Sequence, residues 1–196
     1  MQQTIPALPT VVPGMEALVL HLPSGQLNKF FTIFQSGVTV PATVGCTLKN
    51  LLCVQFAIPA EYVTDRITTI FMDNRPVDDL ERTIIEDGSR VTLSAAMPGL
   101  VGATMRRGGF YAALRQGISH VAGSGASAGT SGTVRLKLFN LLLAELGPLV
   151  LARGLILEQD ELGDLLKELP CRPEDEPARP GRVHLRVHFS ELEDIL

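Results

Sequence analysis

Two stretches of the chain alternate apolar and polar residues with a period of two. Val134, Leu136 and Leu138 alternate with Arg135 and Lys137, and Val183, Leu185, Val187 and Phe189 alternate with His184, Arg186 and His188. Both predict strands, over 134–139 and 182–189, each with one apolar face and one wet face. A different period begins at Thr47, where Leu48, Leu51 and Leu52 fall at i, i+3 and i+4, so a helix is predicted until Pro59 interrupts it. Ahead of it, "ALVLHL" at 17–22 reads as a short strand and "PSGQ" at 23–26 as a turn. The aromatic and β-branched residues of "KFFTIFQSGVTVPATVG" at 29–45 surround a Ser-Gly turn and read as a hairpin or an interrupted strand. After the helix, "ITTIFMDNRPVDD" at 67–79 is a strand entering an Asp73-Asn74 turn. "EDGSRVTLSAAM" at 86–97 is an Asp-Gly turn into another strand, with a further short strand near 83–85.

Phe110, Leu114 and Ile118 lie at steps of four and predict a short amphipathic helix. The small residues of 122–132, "AGSGASAGTSG", read as a flexible linker, since they offer nothing to bury. Beyond the strand at 134–139, Asn140 is placed to cap an apolar helix and Gly154 to end it, while Pro148 kinks that helix or starts a second one. A helix at about 159–169 follows, then an acidic, proline-rich loop at 170–181. Ser190 and Glu193 make a capping-box pattern for a short final helix. The first residues are broken by Pro6, Pro9 and Pro13 and read as an extended arm. The order of elements predicts an α+β protein divided into an arm (1–15), a module with its following helix (16–121), the linker (122–132) and a C-terminal α/β segment (133–196).

Charge and composition narrow the function classes. A formal net charge of −4 lacks the basic footprint that nucleic-acid binding requires. The most apolar run, 138–157, contains Asn140, Glu145, Pro148 and Arg153, so it reads as a buried helix and no membrane partner is expected. Three cysteines do not form a disulfide framework in a chain of 196 residues, which places the protein in a reducing, cytoplasmic compartment.

The strand hairpin, the helix opening with "TLKNLL", then "TTIFMDNRPVDD" and "EDGSRVTLSAAMPG" together resemble the β-grasp fold of the ubiquitin-like sulfur carriers, relatives of the molybdopterin synthase small subunit and the thiamine-pathway carrier. The resemblance spans about residues 16–102 and implies a β-grasp module there. Members of that family use a free C-terminal Gly-Gly carboxylate, activated by adenylation. Here the position after the last strand reads Met97-Pro98-Gly99-Leu100, and the adjacent glycine pair, Gly108-Gly109, comes several residues later with 87 residues after it. Carrier chemistry through Gly108 and Gly109 therefore requires processing after Gly109.

Little else in the sequence carries chemistry. Cys46 and Cys53 sit seven apart on the predicted helix, about 10.5 Å along its axis, too far for a disulfide or a shared metal. Cys171 is flanked by Glu174, Asp175 and Glu176, which disfavour a thiolate. His184 and His188 are about 13 Å apart on a strand, so one metal ion needs His21 or His120 as well. "GSGASAG" at 123–129 precedes a strand, the wrong context for a nucleotide loop. Arg106, Arg107 and Arg115 form a basic run and Glu158 through Glu176 an acidic one, candidates for contact between subunits. The reading is a non-enzymatic interaction or assembly module without cofactor, self-associating or bound to another protein. A processed carrier is second, and an enzyme whose site forms only in three dimensions is third.

Overall fold

The strands predicted by alternation join one sheet. The computed structural model describes residues 14–115, 117–120, 129–170 and 181–190. In chain order, β1 (Glu16–Pro23) leads through a 3₁₀ turn (Ser24–Phe30) into α1 (Phe31–Ser36) and β2 (Val38–Val44). Helix α2 (Leu48–Asn50) continues as a π turn (Leu51–Gln55), followed by α3 (Ala60–Asp65), β3 (Thr69–Met72), β4 (Arg75–Pro76) and β5 (Arg90–Ser94). Then come α4 (Gly99–Met105), a 3₁₀ helix (Phe110–Arg115), β6 (Thr130–Phe139), α5 (Leu142–Arg153), β7 (Leu155–Glu158), α6 (Gln159–Glu168) and β8 (Arg182–Ser190). The fold is mixed α/β, built on a mixed sheet in the order β1-β8-β7-β2-β6-β5-β3-β4.

Chain order and sheet order differ, most of all around β6 and β1. β6 lies between β2, to which it is antiparallel (Val40 opposite Val134), and β5, to which it is parallel (Leu93 opposite Leu138). β1 pairs in parallel with β8, from Glu16 opposite Val183 to Pro23 opposite Ser190. Residues 16–121 and 133–196 therefore share one sheet. Alternation decides its faces: Val38, Val40, Val134, Leu136, Leu138, Val91, Leu93, Ile70 and Met72 are all buried in one core. Between them, Thr39, Arg135, Lys137, Arg90 and Thr92 are half-buried or exposed.

Several expectations are met in detail. The β3–β4 turn has Asp73 and Asn74 both at positive φ, 50° and 65°, the left-handed pair that a two-residue hairpin turn needs. The short strand near 83–85 is a single bridge, Thr47 to Ile84. Gly154 ends α5 at φ 114°.

Others are corrected. No hairpin forms over 29–45, because 24–36 is helical and only 38–44 is extended. Leu27, Phe30 and Phe34 stand at i, i+3 and i+7 and are buried together, with Leu27 and Phe34 against Gly147 of α5, so tertiary burial overrode the β-propensity of the aromatics. Thr130–Gly132, assigned to the linker, belong to β6. Pro148 lies inside a continuous α5. Asn140 does not cap that helix through its side chain; its amide donates to Ser94 Oγ at 3.0 Å and to the Ala96 carbonyl. Cys46 lies ahead of α2, not on it. The linker core, the loop at 171–180 with Cys171, and the Ser190–Glu193 cap fall wholly or partly outside the described residues.

Two contacts hold the helices to each other and to the sheet. Glu145 of α5 accepts hydrogen bonds from Tyr62 of α3 and from Arg66 just after it. Burial alone would raise its carboxyl, but these two donors outweigh that and hold it below the usual range. On β8, His184 is only 1% exposed and not on a wet face. A Cβ on Gly154 would lie 2.1 Å from its Nε2, so the glycine makes room for the ring.

Desolvation, with Arg186 adding to it and a backbone group of Arg153 opposing it, lowers the His184 pKa below 6.5. A histidine whose folded pKa is depressed contributes stability above its unfolded pKa and loses it as pH falls through the window between the two. Urea midpoints are thus expected to fall between about pH 7 and pH 5, and His184→Gln to flatten that slope. An unchanged slope in the variant would assign the pH dependence elsewhere.

Candidate functional site

The segment between β5 and β6 turns its apolar residues outward. Phe110 is 92% exposed, Leu114 74% and Leu100 71%, with Val101, Ile118 and Tyr111 also exposed. The predicted stripe Phe110, Leu114, Ile118 is real in sequence, but it faces solvent and not the core. Most of the exposed large hydrophobics of the described residues lie in this one segment, and such patches on a folded protein mark interaction surfaces.

What fixes the segment is a buried arginine. Arg115 points inward, and all five of its N–H donors are used. Nη1 and Nη2 form a fork on the Asp78 carboxylate at 2.8 and 2.7 Å, Nε donates to the Thr104 carbonyl at 2.6 Å, and Nη1 reaches Ser119 Oγ at 3.0 Å. A longer bond from Nη2 meets the Arg106 carbonyl at 3.4 Å. One guanidinium therefore ties the end of α4, the 3₁₀ helix and the loop after β4 into a single unit.

Two further contacts complete the unit. The Arg107 backbone N–H donates to the Thr68 carbonyl at 2.8 Å, and its Nη2 to the Val63 carbonyl at 2.7 Å. Half-buried as it is, desolvation lowers the Arg107 pKa, with Asp78 opposing the shift. Gly102 is buried where a Cβ would lie 1.8 Å from the Met97 carbonyl oxygen, so α4 closes onto residue 97 only because this position is glycine.

The residues singled out in the sequence converge here but play different parts. Arg106 is exposed, Arg107 serves α3 and the residues after it, and Arg115 is spent inside the unit. Gly108 takes φ 63° and the Gly109 N–H donates to the Arg106 carbonyl at 3.2 Å, so the pair forms the turn between α4 and the 3₁₀ helix. Asp78 was missed: its partner is 37 residues away in sequence, and a single Asp in "PVDD" carries no local signal of that pairing.

The remaining candidates stay apart. Cys46 and Cys53 are free and half-buried, and burial pushes both thiols up. Cys46 Sγ donates to the Thr43 carbonyl at 3.0 Å. His21 stacks on His188 across β1 and β8 with ring centroids 5.5 Å apart, while His184 is buried elsewhere on β8 and the His120 N–H donates to the Pro76 carbonyl. Among the described residues no three His, Cys, Asp or Glu side chains gather as a metal site. No described helix is long and apolar enough to cross a membrane. The chain matches no family model, no curated protein and no solved structure.

Two outcomes are expected. Asp78→Ala leaves the Arg115 guanidinium buried without its carboxylate, at a cost of roughly 2 kcal/mol given that Asp78 is itself half-exposed. Limited proteolysis should then cut within 99–119 faster than in the parent chain, and equal rates would remove Arg115 as the anchor. A chain ended after Gly109 lacks β6, the strand between β2 and β5, and is expected to give no cooperative thermal transition. A folded 1–109 fragment would show that the first part owns a complete core.

Proposed function

We propose that this chain is a non-enzymatic interaction and assembly domain, and that its contact surface is the exposed apolar face of α4 and the 3₁₀ helix. The observation that carries the reading is the outward display of Leu100, Val101, Phe110 and Leu114 on a segment fixed from within by Arg115 and Asp78. A surface fixed before contact loses little conformational entropy when a partner docks, so its apolar area is available for affinity. Residues 97–120 contain no acidic side chain and three arginines, of which Arg115 is buried on Asp78 and Arg106 is exposed. The occupant proposed is a second copy, related by a two-fold axis that buries the same side chains against each other.

The module from β2 to β5 is read as β-grasp-like. Its support is the sequence of β2, the leucine-rich helix at 48–55, the β3–β4 hairpin and β5. The strands beside β2 are β6 and β7, both far along the chain, and neither is a preceding hairpin partner. Processing after Gly109 would discard both strands, which favours assembly over the carrier role. The half-buried free thiols support a reducing, cytoplasmic setting.

Light scattering coupled to size exclusion tests the assignment. The parent chain is expected to elute as a dimer at high micromolar concentration, and Phe110→Ser with Leu114→Ser as a monomer with an unchanged circular dichroism spectrum. A monomeric parent, or a variant that still dimerises, would overturn it.

A further inference from the structure

A second feature lies away from that face and shares none of its residues. Between α1 and α6, where β2 and β7 pair only at Thr39 and Ile156, a cleft of about 310 Å³ opens beside the sheet. That volume is at the lower end of the range for small-molecule pockets, about 300–1,000 Å³. Its floor is apolar, with Ile33, Val38, Ile156 and Leu165.

The flanks carry opposite charges. Lys29 and Arg135 line the side of α1 and β6, whereas Glu161, Asp164 and Glu168 come from α6. These three acids stand at i, i+3 and i+7, hence on one face of the helix. Among the described residues no ion pair joins the two flanks: Asp164 is paired with Lys167 of its own helix, Glu161 accepts the Glu158 backbone N–H, and Lys29, Arg135 and Glu168 have no ionic partner. Thr32 and Ser36 add hydroxyls to the α1 side.

A bare anion would meet the acidic flank and a bare cation the basic one. A ligand that satisfies both must carry a carboxylate and an ammonium on a small apolar body. We infer that the cleft binds a free α-amino acid with an aliphatic side chain, its carboxylate toward Lys29 and Arg135, its ammonium toward Glu168, and its side chain against the apolar lining. The site makes the domain a sensor or carrier of such a metabolite in addition to its role in assembly.

The test is calorimetric titration of the full chain with leucine, valine and isoleucine, alongside two leucine analogues, 4-methylpentanoate without the ammonium and isoamylamine without the carboxylate. At least one amino acid is expected to bind, and each analogue to bind at least about tenfold more weakly, the loss of one charge-assisted pair. Arg135→Gln and Glu168→Gln, both at exposed positions, are each expected to weaken binding by a similar factor without changing the melting temperature. No heat with any of the three amino acids, or an analogue that binds equally well, overturns the assignment, and does so whether or not the chain dimerises through Phe110 and Leu114.

Discussion

β6 is the strand on which the two halves of the sheet depend. It is antiparallel to β2 on one side and parallel to β5 on the other, so no backbone ladder links those two strands except through it. Its inward residues Val134, Leu136 and Leu138 are fully buried and meet the helical layer contributed by both halves of the chain. The entry to β6 is fixed as firmly: the Thr133 N–H donates to Asp87 Oδ1 at 2.7 Å and the Arg135 N–H to the Ser89 carbonyl at 2.9 Å. A parallel neighbour needs a crossover, and the long excursion from β5 through α4 and the 3₁₀ helix supplies it. The exposed apolar face is thus the outer surface of a connection that the sheet requires.

That connection reverses the usual arrangement of a short amphipathic helix. Its charged residue is inside and its apolar ones are outside. A buried guanidinium is tolerable because every donor is met and one partner is a carboxylate. The energy that orders the segment is therefore polar, directional and internal, and none of the exposed apolar area is spent on holding it in place. An apolar anchor would have consumed the same side chains that now face solvent.

Local patterns were legible wherever one element decides its own conformation. The strands at 134–139 and 182–189, the helix after Thr47, the left-handed Asp73-Asn74 turn and the glycine stop at 154 all follow from periodicity or backbone sterics. The helix over 24–36 was hidden because its aromatics favour strands, although Leu27, Phe30 and Phe34 do carry a helical period. What no local pattern holds is the position of β6, the partner of β1, the burial of His184 and the pairing of Arg115 with Asp78. Each depends on residues dozens of positions away, and the outward turn of the Phe110 stripe depends on the last of them. Of the candidate site, its location at the 106–115 segment was visible, and its orientation was not.

The mismatch between chain order and sheet order also governs how the protein is made. β2 leaves the ribosome with its β6 edge open and waits through some 86 further residues before Thr130 follows Val44, on the order of several seconds of synthesis. β1 waits longer still, because β8, the strand it pairs with among the described residues, is the last of them. Pairings of such long sequence separation raise the contact order and slow the final closure of the sheet. During that interval the nascent chain presents unpaired strand edges beside the apolar face of α4 and the 3₁₀ helix, which is exposed among the described residues. Misassociation during synthesis is therefore a hazard that this order of strands builds into the chain.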